Sequence, residues 1–230
     1  MATTQQTRTN NANRAFPAPQ APRTARVHST TSTALATATS PEALKTVLTL
    51  VETAQLIQQV LREAFPGTGF YVKTQRDANS ARLHVEWTDG PRELQVTQLL
   101  APLQSSTSGT FGGKTSVEHF RLTAQGPQSV RLGADRITVK RKFSDGLVGN
   151  VLQRLAHRHF GRMDPETRKL LTVESFKKGA LMAVVLYGVH FGGHTLQHDV
   201  ETALHAHTDV QGFPRSATAA SIFARKPLKA

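Results

Sequence analysis

The chain has 230 residues, with 28 Lys and Arg against 16 Asp and Glu and no cysteine. That composition excludes disulfides, thiolate zinc sites and cysteine nucleophiles, and a net charge of +12 makes polyanions, nucleic acid first, the partners to consider. The longest strongly apolar run, residues 179–189, falls short of the about 20 residues that a bilayer span needs. With no compact apolar core to mark a secretory signal, the expectation is a cytoplasmic protein away from the membrane.

The charge is unevenly spread. Residues 1–40 carry four Arg and no acid, and residues 41–100 carry six bases and seven acids. Residues 101–150 carry seven bases and three acids, and residues 151–230 eleven and six. The first segment, rich in Thr, Ala, Gln, Asn and Pro, cannot bury enough surface to offset its ordering entropy. It reads as a disordered basic arm, although an organellar transit segment shares that composition.

Order is expected from Ser40, which precedes Pro41 at a favoured first helical position. Leu44, Val47, Leu48, Val51, Leu56, Val60 and Leu61 recur at helical spacing, in one helix or in two with a break near Thr53. "PGTG" at 66–69 ends that helix. "FYVKTQ" and "ARLHVEW" alternate apolar and polar residues around "RDANS", the pattern of a β-hairpin. A second helix begins after "WTDGP", with Gly90 as a cap, Pro91 at the first helical position and Glu93 near the N-terminus. Strands around 116–123 and 129–142 follow, and Ser144 caps an amphipathic helix that runs to Gly161. Helix, two strands, helix, two strands, helix gives a two-layer α+β domain over residues 41–161. A helical extension over 162–212, including a buried helix around 179–189, and a basic tail over 213–230 complete the expected organisation.

The stretch "SSTSGTFGGKTS" at 105–116 imitates a phosphate-binding loop. Such a loop needs Gly-x-x-x-x-Gly-Lys-Ser/Thr between a buried strand and a helix. Here Ser108 stands where the first glycine belongs, Gly109 comes one residue late, and a strand-like segment follows.

A different parentage fits the motifs better. The run "LREAFPGTGFYVKTQRDANSARLHVEWTDGP" resembles the opening of the large polyvalent protein-associated domain, number 29 of that series. The resemblance rests on Phe65, Pro66, Gly67, Phe70 and the Trp87, Thr88, Asp89, Gly90, Pro91 motif. The Phe-Asp-Gly loop of that family falls at Phe111 and Gly113, with Gly112 replacing the Asp and Lys114 standing where Met is usual. Gly133, Ala134, Asp135, Arg141, Phe143 and Ser144 match a later strand, so the resemblance covers roughly 53–161. It implies an accessory role in phages, plasmids or conjugative elements, where such domains are thought to help incoming DNA establish itself. It supplies no catalytic residue set, and the Asp lost at Gly112 argues against an acidic role there.

Two constellations remain. In an extended "TVKRKF" at 138–143, Lys140 and Lys142 share one face and Arg141 lies on the other with Val139 and Phe143. With Arg154, Arg158 and Arg162 downstream they form the candidate phosphate-binding patch; an ordinary solvated face is the alternative. On a helix from about 194, His194, His198, Glu201 and His205 share a face opposite Leu196, Val200 and Leu204. His194 and His198 have the i, i+4 spacing of two helical metal ligands, without the His-Glu-x-x-His signature, and a hydrated polar face explains the same pattern.

The expected function is a non-enzymatic nucleic-acid-associated accessory protein, with DNA favoured over RNA and no cofactor required. The alternatives are a zinc-dependent hydrolase built on the C-terminal histidines and a protein-interaction module that docks a partner through residues 179–189.

Overall fold

A computed structural model describes residues 47–108, 113–212 and 214–225. The basic arm expected over 1–40 and the helix start at Ser40 and Pro41 lie outside these residues. Among the described residues the first helix, α1, spans Leu50–Ala64. Thr49 caps it: its hydroxyl accepts from Glu52 N at 3.2 Å, and the Glu52 carboxylate accepts from Thr49 N at 2.8 Å. Thr53 does not break the helix. Its hydroxyl donates to Thr49 O and accepts from Gly133 N, both at 2.8 Å, so a polar residue sits satisfied inside the core. A Cβ at Gly133 would come within 2.5 Å of the Thr49 backbone, so only glycine lets that loop approach the helix start.

Strands β1 (Phe70–Asp77) and β2 (Ser80–Thr88) form the expected hairpin, with Phe70 opposite Trp87 and Asp77 opposite Ser80. Helix α2 spans Glu93–Leu100. The cap expected at Gly90 is instead Arg92, whose backbone N–H is met by the Gln95 side chain at 2.9 Å.

The next segments depart from the two-strand expectation. A short hairpin, β3 (Ser106–Ser108) with β4 (Lys114–Ser116), precedes β5 (Glu118–Thr123). The expected strand over 129–142 is two strands, β6 (Gly126–Val130) and β7 (Arg136–Lys142), parted where Gly133 packs on α1. β6 pairs antiparallel with β5, whereas β7 crosses over and adds parallel to β2. The main sheet therefore has the order β1-β2-β7. Its inner face carries Leu83, Val85 and Trp87, which join Ile57, Val60, Leu61, Val96 and Leu100 of α1 and α2 in the first core.

Helix α3 (Asp145–Arg158) starts as expected, with Ser144 Oγ accepting from Leu147 N at 3.1 Å. Its Leu147, Val148, Val151, Leu152 and Leu155 enter a second core with Leu181, Leu186, Leu196, Val200 and Leu204. Around them lie the short helices α4 (Pro165–Leu170) and α5 (Val173–Lys177), then α6 (Leu196–Ala206). The buried helix expected at 179–189 is absent. Gly179 turns left-handed at φ 71° and a single 3₁₀ turn covers Ala180–Ala183. Leu181, Val184 and Leu186 anchor the segment inward, while Met182, Val185 and Tyr187 face outward.

The basic tail expected from residue 213 also differs from the structure. Helix α7 (Ala217–Ala220) leads into β8 (Ile222–Arg225), which pairs antiparallel with β5. The Glu63 carboxylate holds this return segment, accepting from Ser216 Oγ at 2.7 Å, Thr218 N at 2.9 Å and Thr218 Oγ1 at 2.6 Å. These bonds pull the Glu63 pKa down to about 2. Lys226 and Lys229 lie outside the described residues.

Candidate nucleic-acid interface

The Trp-Thr-Asp-Gly-Pro turn positions the main sheet. Trp87 is buried, stacked obliquely on Phe70 at 5.5 Å, and its indole N–H donates to Pro91 O at 3.0 Å. Asp89 and Gly90 both adopt positive φ, 57° and 61°, and a Cβ on Gly90 would strike Thr68 Oγ1 at 2.7 Å. Asp89 Oδ1 accepts from Ser144 N at 2.9 Å, so this turn also sets the start of α3.

Arg141 then locks the turn to the second region. Its guanidinium is buried and donates to four carbonyls: Asp89 O at 2.9 Å, Gly90 O at 3.0 Å, Leu204 O at 3.3 Å and His207 O at 2.9 Å. The last two belong to the end of α6, where orphan carbonyls and the helix dipole favour a cation. Burial lowers the guanidinium pKa, opposed by the charges of Asp89, Asp209 and Glu93. Arg141 thus serves as an internal staple, with its donors turned away from any external phosphate.

The outer face of the same sheet is open. Strand alternation places Tyr71 and Lys73 of β1, Arg82, His84 and Glu86 of β2, and Arg136, Lys140 and Lys142 of β7 on the side opposite the core. All five bases are exposed. Two acids share this face: Asp77 at the hairpin end, opposite Ser80, and Glu86, with Lys142 Nζ at 2.7 Å and Lys73 Nζ at 4.0 Å. The hydrogen bond from Lys142, aided by the charges of Lys73 and Lys140, holds the Glu86 carboxyl below its usual range. Arg82 and Arg136 are direct register partners, like charges set opposite each other. Lys73 also lies 5.1 Å from the Tyr71 ring centre.

Of the residues expected in this patch, Lys140 and Lys142 lie on the open face and Arg141 does not. Lys73, Arg82 and Arg136 were missed because each is isolated in sequence; only the β1–β2–β7 register gathers them. Downstream, most bases are already engaged. Arg162 donates to Gly188 O at 2.7 Å, Arg168 stacks 3.9 Å from the Phe160 ring centre, and Lys177 pairs with Asp145 at 2.6 Å. Arg154 and Arg158, exposed on α3, have no carboxylate partner among the described residues.

The histidine stripe divides. His194 precedes α6, whose cap is Thr195, and its ring meets that of His198 edge-on at 4.5 Å. His205 instead meets the Phe143 ring at 5.2 Å, and Glu201 accepts from Gln197 at 2.9 Å. Among the described residues no group of three His, Asp or Glu is placed to hold a metal ion. The buried histidine of this region is His190, which sequence spacing did not reveal. Leu186 N donates to its Nδ1 at 2.9 Å, so Nε2 carries the proton and donates to Asp199 Oδ2 at 2.9 Å.

The family model of large polyvalent protein associated domain 29 matches residues 48–144. It begins two residues before α1 and ends at the Ser144 cap, so α3, included in the resemblance over 53–161, lies beyond it. Gly113 is exposed at the start of β4, while Phe111 lies outside the described residues. No curated protein and no solved structure matches the chain. From α1 through β7, then, this chain carries a large polyvalent protein associated domain 29.

Proposed function

We propose that this is a non-enzymatic nucleic-acid-binding accessory protein of a phage, plasmid or conjugative element, or of its bacterial host. The outer face of β1-β2-β7 is its phosphate-contacting surface, with DNA favoured over RNA. One observation carries the reading: five exposed bases share that face with two acids, Glu86 and Asp77, and two of the bases, Arg82 and Arg136, stand directly opposite each other. Such a face gains from neutralisation by a polyanion, through release of condensed counterions with little reading of bases. Arg154 and Arg158 on α3 supply further charge.

Fluorescence anisotropy of labelled single- and double-stranded DNA and RNA tests this. Neutralising about four phosphates on duplex DNA predicts roughly 100-fold weaker binding at 200 mM than at 50 mM salt. Absence of binding at the lower salt, or binding indifferent to salt, would refute it. Removing residues 1–40 separates the contribution of that segment from that of the sheet.

A further inference from the structure

The side chains of Arg154 and Arg158 do more than add surface charge, because they line a cleft of about 680 Å³ between α3 and α6. Arg92, at the cap of α2, contributes a third guanidinium to the same wall. None of the three has a carboxylate partner among the described residues. The one acid in the cleft, Asp199, already accepts a hydrogen bond from Nε2 of buried His190. The α6 wall that faces α3 is small, with Ala203 and Ala206, and Val151 and Leu155 of α3 add apolar surface beside the arginines.

We infer that this cleft is a binding site for a small phosphorylated ligand with a flat, partly apolar body, of mononucleotide size. The arginines match the chemistry of phosphate, since a planar guanidinium presents paired donors to two oxygens. The apolar wall suits a ring, and the volume falls within the about 300–1,000 Å³ typical of small-molecule sites. His159 and His207 line the cleft too. Burial lowers the His159 pKa, so near neutral pH that ring is an uncharged hydrogen-bonding partner. This inference does not depend on the sheet face: the ligand is a single small molecule, and all of the lining except Arg92 lies beyond the family match.

Calorimetric titration of the full chain with adenosine 5′-monophosphate, adenosine and inorganic phosphate tests the inference. Saturable binding of the monophosphate is expected, with adenosine and phosphate each weaker by about tenfold or more. Two variants are compared: Arg154→Gln with Arg158→Gln, which removes the anion partners, and Thr202→Trp, which fills the cleft from an exposed position without changing charge. Both should weaken the monophosphate at least tenfold while leaving the far-ultraviolet dichroism spectrum unchanged. Equal affinity in either variant, inorganic phosphate binding as tightly as the monophosphate, or no saturable binding of the monophosphate up to ~10 mM would overturn the inference. Charge reversal on the sheet face, such as Lys140→Glu, should leave this titration unmoved, so the two readings fail separately.

Discussion

Two regions of the molecule fold by different rules. The first, from α1 to β7, is assembled by long-range pairing: β2 meets β7 more than fifty residues away, and a glycine at 133 presses on the helix start at 49. The second, from α3 to α6, is built from short helices and turns around one long helical contact, α3 against α6, with a buried His190–Asp199 hydrogen bond inside. The comparison shows where shape is stored. In the first region it lies in a sheet whose outer face is free for other uses. In the second it lies in turns that leave a cleft between two helices. Arg141 belongs to both, since its guanidinium joins the Asp89–Gly90 turn to the end of α6.

The comparison breaks most visibly at that junction. Arg141→Met leaves four carbonyls without their donor and should cost about 3 kcal/mol or more. For a folded unit of this size that lowers Tm by roughly 6–12 °C. Trp87, the only tryptophan, sits beside the turn and reports the loss through its emission. A change below about 2 °C would mean that the two regions do not depend on the staple. Gly133→Ala tests the first region alone. The added carbon must displace the Thr49 backbone, and overpacking of this kind costs about 1–3 kcal/mol.

His190→Ala tests the second region. It removes the donor to Asp199 and the acceptor for Leu186 N, so hydrogen exchange should quicken across residues 181–204 while β1, β2 and β7 keep their protection. Uniform acceleration would show one indivisible cooperative unit instead.

Acid sharpens the contrast further. His119 is buried, with Nε2 bonded to Pro102 O at 2.8 Å, and desolvation lowers its pKa. The unfolded chain takes up that proton near the ordinary value of 6.5, and the folded one only at lower pH. Stability contributed by neutral His119 is therefore complete above 6.5 and is lost as the pH falls below it. His119→Gln, which retains a donor, should flatten the dependence of Tm on pH just below 6.5. Glu63 gives the smallest effect. Its pKa falls from 4.5 to about 2 on folding, so its contribution is present above 4.5 and disappears as pH drops toward 2. Glu63→Gln should free the α7–β8 return to protease near neutral pH, with the main sheet intact.

The legibility of the sequence follows the same division. The β1–β2 hairpin was readable because period-two alternation survives in "ARLHVEW", and α3 was readable from Ser144 and an unbroken apolar stripe. The partition of 129–142 was not, because the reason for the break is a contact between Gly133 and a helix eighty residues earlier. The 179–189 segment misled for the opposite reason. Its apolar density suggests a helix, but Gly179 and Gly188 at positive φ turn the chain, and the apolar residues divide between core and solvent. Three of the five bases on the basic face were hidden as well: Lys140 and Lys142 announce themselves as neighbours, whereas Lys73, Arg82 and Arg136 join them only through register.

The most direct test of the phosphate-binding reading compares duplex DNA binding, at about 50 and 200 mM salt, for the native chain and for Arg136→Glu with Lys140→Glu. The account predicts that the variant binds at least tenfold more weakly at the lower salt and that its salt slope falls by about 2, with Tm nearly unchanged because both side chains are exposed. Equal affinity and an unchanged slope in a folded variant would contradict it and would place the binding charge elsewhere in the chain.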